Sequence, residues 1–285
     1  MGIDIANDLA PLRARIAEWK RAGLRVGFVP TMGNLHAGHH SLVRLAREHA
    51  DRVVASVFVN PTQFGPNEDF SRYPRTPEAD AEGLAAAGCD LLWMPTVETM
   101  YPFGADGAVR IRVPGITDVL EGAHRPGHFD GVATVVARLF LQVQPDVAAF
   151  GRKDYQQLAV IRYLVRDLAF PIELLAGETL READGLAMSS RNAYLTAEER
   201  RAAVCLSRVL CKAQKWVRRG ETSAAAILQG VLAELGREPL AQVEYAKLCD
   251  AESLDDIDRI QGTAVLALAV RFGRARLIDN CIIKT

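Results

Sequence analysis

Apolar positions along the first 180 residues switch between helical and strand-like spacing. Ile5, Leu9, Leu12, Ile16 and Trp19 predict an amphipathic helix over 5–22, ended by Gly23. A short apolar run at 25–29 predicts a strand, and Leu42, Val43, Leu45 and Ala46 predict a helix over 39–50. The β-branched run at 53–59 reads as a buried strand. Residues 77–87 make a short helix closed by Gly88, and 89–94 a third strand stopped by Pro95. Strand–helix–strand–helix–strand predicts a parallel sheet with right-handed crossovers. Residues 95–127 are rich in Gly and Pro and read as a loop-rich insertion over the sheet edge. Val132, Val135, Val136, Leu139, Phe140 and Val143 then form one helical stripe over 129–143. A strand at 147–150, a helix through Leu158, Ile161, Leu164, Val165 and Leu168, and a strand at 172–176 complete this half.

Beyond about residue 180 the pattern changes. Thr196-Ala197-Glu198-Glu199 has the spacing of a capping box opening a long helix. A second helix follows Glu221, then strand-like runs at 243–248, 264–270 and 276–278. The expected fold is α/β: a Rossmann-like parallel sheet with flanking helices over 1–179, and a smaller C-terminal α+β domain over 180–285.

Composition narrows the classes of function. A chain of 285 residues with net charge −1 has material for one large or two smaller domains, and no basic field to attract nucleic acid. Five scattered cysteines without a Cys-x-x-Cys pair fit reduced thiols in the cytoplasm, not a disulfide frame or a zinc ribbon. No basic-then-apolar leader opens the chain, and no apolar run reaches membrane-spanning length. The G-x-G-x-x-G, P-loop and G-x-S-x-G patterns are absent, which disfavours a dinucleotide dehydrogenase, a P-loop kinase and an α/β-hydrolase.

Three polar motifs each follow a predicted strand: 30–39, 60–64 and 151–154. Ligands of open parallel sheets bind beyond the carboxyl ends of strands, so these motifs are expected to converge. His36-Ala37-Gly38-His39 falls where a helix begins, a natural phosphate site. It also reads as a helix start with two surface histidines, or as a metal site lacking nearby Cys, Asp or Glu. Lys153-Asp154 fits a polyphosphate and a ribose, or a solvated charge pair. Met188-Ser189-Ser190-Arg191-Asn192 fits a phosphate clamp, or a polar interdomain loop. Gln63 and Gln157 are neutral amides that can orient a carboxylate without cancelling its charge, or polar surface. Arg125-Pro126-Gly127-His128 is a cationic lid or only a turn.

Together these motifs resemble the pantoate–β-alanine ligase (pantothenate synthetase) family of the H-x-G-H nucleotidyltransferase-like superfamily. The resemblance is carried in order by 30–39, 58–64, 73–76, 120–122 with 125–129, 150–158, 184–192 and 277–280. It implies condensation of (R)-pantoate with β-alanine at the expense of ATP, through a pantoyl adenylate, releasing AMP and pyrophosphate. His36, His39, Lys153, Ser189, Ser190 and Arg191 would engage the ATP phosphates and be catalytic. Gly151 and Asp154 would hold the ribose, and Met32, Gly33, Leu180 and Met188 would border the nucleotide. Gln63 and Gln157 would grip pantoate, with Asn60, Tyr73, Arg125 and His128 nearby. Magnesium would ride on the phosphates, helped by Asp80. The resemblance also implies a homodimer, and the place of Ser189–Arg191 at the expected domain junction predicts a lid role for the smaller domain. Arg152 stands where glutamate is expected, and Thr62 where methionine is common. A superfamily enzyme that keeps AMP on its product, and a nucleotide-sensing module without turnover, are the rival readings.

Overall fold

A computed structural model describes residues 2–65 and 70–285. The chain divides into two compact units, Met1–Arg152 with Gln156–Glu178, and Lys153–Tyr155 with Thr179–Thr285.

The first unit is built on a six-stranded parallel sheet. Its elements run β1 (Asp4–Ala6), α1 (Leu9–Arg21), β2 (Val26–Thr31), α2 (Ala37–His49), β3 (Arg52–Val57), α3 (Pro77–Ala87) and β4 (Leu91–Trp93). Then come the single turns α4 (Val97–Met100) and α5 (Glu121–His124), followed by α6 (His128–Val143), β5 (Val147–Gly151), α7 (Tyr155–Asp167) and β6 (Glu173–Gly177). The strand order is β1-β4-β3-β2-β5-β6. Side chains of a strand alternate between faces. In β2, Val29 joins a core with Leu42, Val43 and Ala46 of α2 and Leu84 of α3. Its neighbour Phe28 meets Phe140 of α6 edge-on at 6.4 Å. Helices α2 and α6 therefore cover opposite faces.

The expected helix over 5–22 begins later than its apolar spacing suggests. Residues 4–6 form β1, which pairs in parallel with β4, and Ile5 is half exposed in it. The helix proper starts at Leu9 and buries Leu12, Ile16 and Trp19. The 95–127 insertion is fastened to two helices. Ile111 N–H donates to Thr134 Oγ1 of α6, Arg138 of α6 donates to the Met100 carbonyl, and Gln156 of α7 donates to the carbonyls of Ile116 and Val119.

The second unit carries α8 (Ala197–Ala203), α9 (Cys205–Arg218), α10 (Ala224–Leu235) and the antiparallel sheet β7 (Gln242–Asp250), β8 (Thr263–Phe272), β9 (Ala275–Lys284). Its core joins Leu206, Val209 and Leu210 of α9, Ile227 and Val231 of α10, and Leu266, Leu268 and Val270 of β8. The capping box forms as expected: Glu199 accepts from Thr196 N–H at 2.8 Å, and Thr196 Oγ1 accepts from Glu199 N–H at 3.2 Å. The long helix expected there is two helices separated at Val204, which ends α8 and precedes α9.

Candidate active site

Sequential strands step from β2 through β3 to β4 in one direction, while β5 lies on the other side of β2. The order reverses between β2 and β5, which is where open α/β sheets leave a crevice at their carboxyl ends. The 32–39 segment leaves β2 at that point, and Gly151 ends β5.

Asp80 of α3 shapes the turn after β2. It is 2% exposed, and its two carboxylate oxygens accept from the N–H groups of Asn34 at 2.9 Å and Leu35 at 2.8 Å. Thr76 Oγ1 donates to the same carboxylate at 3.1 Å. Gly33 holds φ 83°, and a Cβ there would lie 3.0 Å from both Asp80 Oδ2 and Val57 Cγ1. Glycine is thus required twice over, by conformation and by space. Met32, half-buried, links this turn to β2.

The two histidines cap α2. His36 is the N-cap residue, and its Nδ1 accepts from Gly38 N–H at 3.1 Å. His39 Nδ1 accepts in return from His36 N–H at 3.2 Å. This is a capping box made of imidazoles in place of hydroxyl and carboxylate. The neutral tautomer that fits both bonds carries its proton on Nε2. Both rings, 4.2 Å apart at their centroids, therefore present N–H donors at a positive helix end.

A neutral amide cluster follows β3. Asn60 is fully buried. Its Nδ2 donates to Gln63 Oε1 at 3.0 Å and to the Gly131 carbonyl at 3.2 Å. Its Oδ1 accepts from Tyr101 Oη at 2.7 Å and from Thr62. The Gln63 carbonyl accepts from His128 Nδ1 at 2.9 Å, so Nε2 of that ring is the nitrogen that accepts from Arg125 at 3.1 Å. Asn60, Gln63, Arg125 and His128 are thereby joined by hydrogen bonds. Tyr73 meets Phe64, the residue after Gln63, edge-on at 5.8 Å between centroids. Gln157 stands on the first turn of α7, half-buried. Thr62, the second departure from the family pattern, hydrogen-bonds Asn60 and Tyr101.

The second unit gathers the remaining phosphate candidates. Lys153, Ser189, Arg191 and Asn192 line one cavity with Asp279. Ser189 Oγ caps the turn that follows by accepting from Arg191 N–H at 3.2 Å. Ser190 opens that turn. Leu180 and Met188 are joined by a backbone bond of 2.9 Å, closing a hairpin that leads directly into Ser189. Asp154 has a half-exposed side chain, and its carboxylate lies 3.9 Å from Lys153 Nζ. The added charge of Arg152 is met by an ion pair with Glu178.

Among the described residues, no three or more His, Cys, Asp or Glu are grouped to hold a metal ion. Magnesium needs few protein ligands when phosphates carry it. No helix among the described residues is long and apolar enough to cross a membrane.

Sequence reasoning passed over Gln156. This buried amide is the hub of the insertion, giving two hydrogen bonds to it and accepting a third from Glu121 N–H at 2.9 Å. Its only local signal was its place beside Gln157.

A helix start that presents donors where the sheet order reverses belongs to the nucleotide-handling α/β class. Within that class, residues 4–282 match the family model described as Pantoate-beta-alanine ligase. The chain is 58% identical over 282 residues to pantothenate synthetase of Xanthomonas euvesicatoria pv. vesicatoria (strain 85-10), covering 98% of this chain and 99% of the relative. It is 59% identical over 278 residues to that of Stenotrophomonas maltophilia (strain R551-3), with the same coverage. The structure of pantothenate synthetase from Thermus thermophilus superposes with TM-score 0.91 at 49% identity, covering 98% of this chain and 99% of that one. That of pantoate–β-alanine ligase from Francisella tularensis, complexed with β-γ ATP and β-alanine, gives TM-score 0.78 at 32% identity, covering 98% and 97%. The chain belongs to the pantoate–β-alanine ligase family.

Proposed function

We propose that this family member joins pantoate to β-alanine in two half-reactions. A pantoate carboxylate oxygen attacks the α-phosphorus of ATP, the bond from that phosphorus to the bridging oxygen breaks, and pyrophosphate leaves. The β-alanine nitrogen then attacks the carbonyl carbon of the pantoyl adenylate. The bond to AMP breaks and the amine gives up a proton. No protein nucleophile takes part, so catalysis is positioning and charge stabilisation.

The observation that carries this reading is the setting of Gln63. Asn60 claims its carbonyl oxygen, so its NH2 is the end offered to a ligand. A neutral donor orients a carboxylate and leaves its nucleophilic charge intact. Asn60 supports pantoate through Gln63, and the Arg125–His128 pair steadies the Gln63 backbone. Gln157 and Tyr73 complete the pantoate residues. His36, His39, Lys153, Ser189, Ser190 and Arg191 stabilise the departing pyrophosphate, with Met32, Gly33, Gly151, Asp154, Leu180 and Met188 around the nucleoside. Magnesium neutralises phosphate charge and is carried by ATP. Asp80, whose oxygens hold the 34–35 turn, supports the site from beneath. The lid role of 180–285, a homodimer and a cytoplasmic setting belong to the same proposal, and sedimentation of the purified chain reads the dimer.

The deciding experiment is pantoate-dependent ATP–pyrophosphate exchange without β-alanine, followed by addition of the amine. Exchange first and amide afterwards supports both steps. Amide formation without prior exchange removes the stepwise order. Bound ATP with neither reaction removes the ligase reading.

A further inference from the structure

Asp279 and Asn280 are adjacent on β9, inside a stretch that carried the family resemblance without a role. Asp279 is 2% exposed, and both its oxygens accept from the Arg181 guanidinium, at 2.7 and 3.0 Å. Such a two-point pair fixes orientation as well as distance. Arg181 sits in the 180–188 hairpin, bridged to Ala187, and also donates to the Gly185 carbonyl at 3.2 Å. Burial disfavours its charge, and Asp279 outweighs burial and raises its pKa. The hairpin so pinned runs straight into Ser189, Ser190 and Arg191.

Asn280 acts on the other phosphate segment. Its Nδ2 donates to the Lys153 carbonyl at 2.7 Å, and its own N–H donates to Asp279 Oδ1 at 2.8 Å. Two residues beyond Lys153, Tyr155 Oη donates to the Ala251 carbonyl at 2.8 Å. Lys153–Tyr155, which lie in sequence between β5 and the body of α7, thereby belong to the second unit. β9 is paired with β8 along its whole length, from Thr263–Lys284 to Phe272–Ala275, so this dipeptide stands on a rigid strand.

We infer that Asp279 and Asn280 are positioning residues for adenylate formation: one strand dipeptide sets the Lys153 main chain and the entry to 189–191 relative to each other. The inference rests on the ligase reading only for its kinetic readout. Neither residue needs to touch substrate.

The test compares Asn280→Ala and Arg181→Lys with wild type in pyrophosphate exchange and in ATP binding by calorimetry. A side-chain misplacement of this kind costs about ten- to a hundredfold in rate. Asn280→Ala is expected to lose that much exchange, with the pantoate KM within about twofold of wild type because a uniform binding loss is not involved. Arg181→Lys keeps the charge and loses the two-point geometry, so it is expected to weaken ATP and spare pantoate. In a Lys153→Ala background, Asn280→Ala should add little further loss of ATP affinity, since both changes act through one ammonium group. A merely structural role moves the melting temperature and leaves these readouts alone. Wild-type exchange and ATP affinity in both folded variants, or multiplying losses in the double variant, overturn the inference. If Asn280→Ala does not fold, Arg181→Lys decides alone. If wild type shows no exchange, the ligase reading fails separately and the ATP-affinity cycle still decides the positioning role.

Discussion

At the scale of single residues, the site is held by buried groups whose hydrogen bonds go largely to the main chain. Asp80 is the clearest case. Asp80→Asn keeps one acceptor and turns an N–H toward a backbone N–H, so a buried donor goes unpaired. That is expected to cost about 1–3 kcal/mol in chemical denaturation. It should also weaken ATP binding with an unchanged magnesium dependence, because both carboxylate oxygens are taken up by the turn; a shifted magnesium midpoint would return Asp80 to the ion. Lys153 differs, since the charge assigned to it acts on the departing pyrophosphate. Lys153→Ala should fold normally and lose about a hundredfold or more in exchange rate. His40 adds a pH effect beside the imidazole cap. Its Nε2 is buried without a hydrogen-bond partner among the described residues. Burial, then Arg44, lower its pKa below 6.5, against an opposing pull from Asp80. The unfolded chain then binds a proton near pH 6.5 that the folded chain takes up only at lower pH. Stability contributed by neutral His40 is therefore lost as pH falls through that window. Between about pH 7.5 and about pH 5.5, wild type should lose more stability than His40→Leu. Equal losses in the two proteins would count against this account.

At the scale of elements, the parallel half of the fold was legible because its strands are apolar runs and its helices carry one stripe each. The three polar motifs were legible because they are local in sequence. What escaped was set by distant partners. β1 has three residues and a half-exposed Ile5, too short for a period, and exists because β4 offers it a free edge. The roles of Asp80, Gln156 and Asn280 depend on bonds to residues 45, 35 and 127 positions away, and no window of sequence contains both ends. The imidazole capping box was hidden for another reason: histidine is not among the residues expected to cap. Gln156 gives this scale its prediction. It makes three hydrogen bonds to residues 116–121, beside the Arg112–Asp118 pair and the Thr117–Val113 bond that the segment makes within itself. Gln156→Ala should leave the sheet intact and raise the rate of limited proteolysis within 101–120, because a segment opens more readily once the hydrogen bonds that fasten it are gone. Cleavage at the wild-type rate would show that the insertion is held by other means.

At the scale of the whole molecule, the assigned ligands divide unequally between the two units. Every residue assigned to pantoate lies in the first: Asn60, Gln63, Tyr73, Arg125, His128 and Gln157. Those assigned to ATP lie in both, with the histidines in the first and Lys153, Ser189, Ser190 and Arg191 in the second. Each unit buries its own apolar cluster, Leu42, Val43 and Leu84 in one and Leu210, Ile227 and Leu268 in the other. A ligand that binds only folded residues stabilises the elements that carry them. Hydrogen exchange followed by mass spectrometry separates the two cases. Pantoate alone should slow exchange around 60–64 and 125–131 and leave 180–194 unchanged. A non-hydrolysable ATP analogue with magnesium should slow exchange at 33–40 and also at 180–194. Protection of 180–194 by pantoate alone would place a pantoate contact in the second unit and undo the assignment of Gln63 and Gln157 as its principal grips. Protection of 33–40 alone by the nucleotide would remove Ser189, Ser190 and Arg191 from the phosphate site, and with them the reason for β9 to hold Lys153 and the hairpin together.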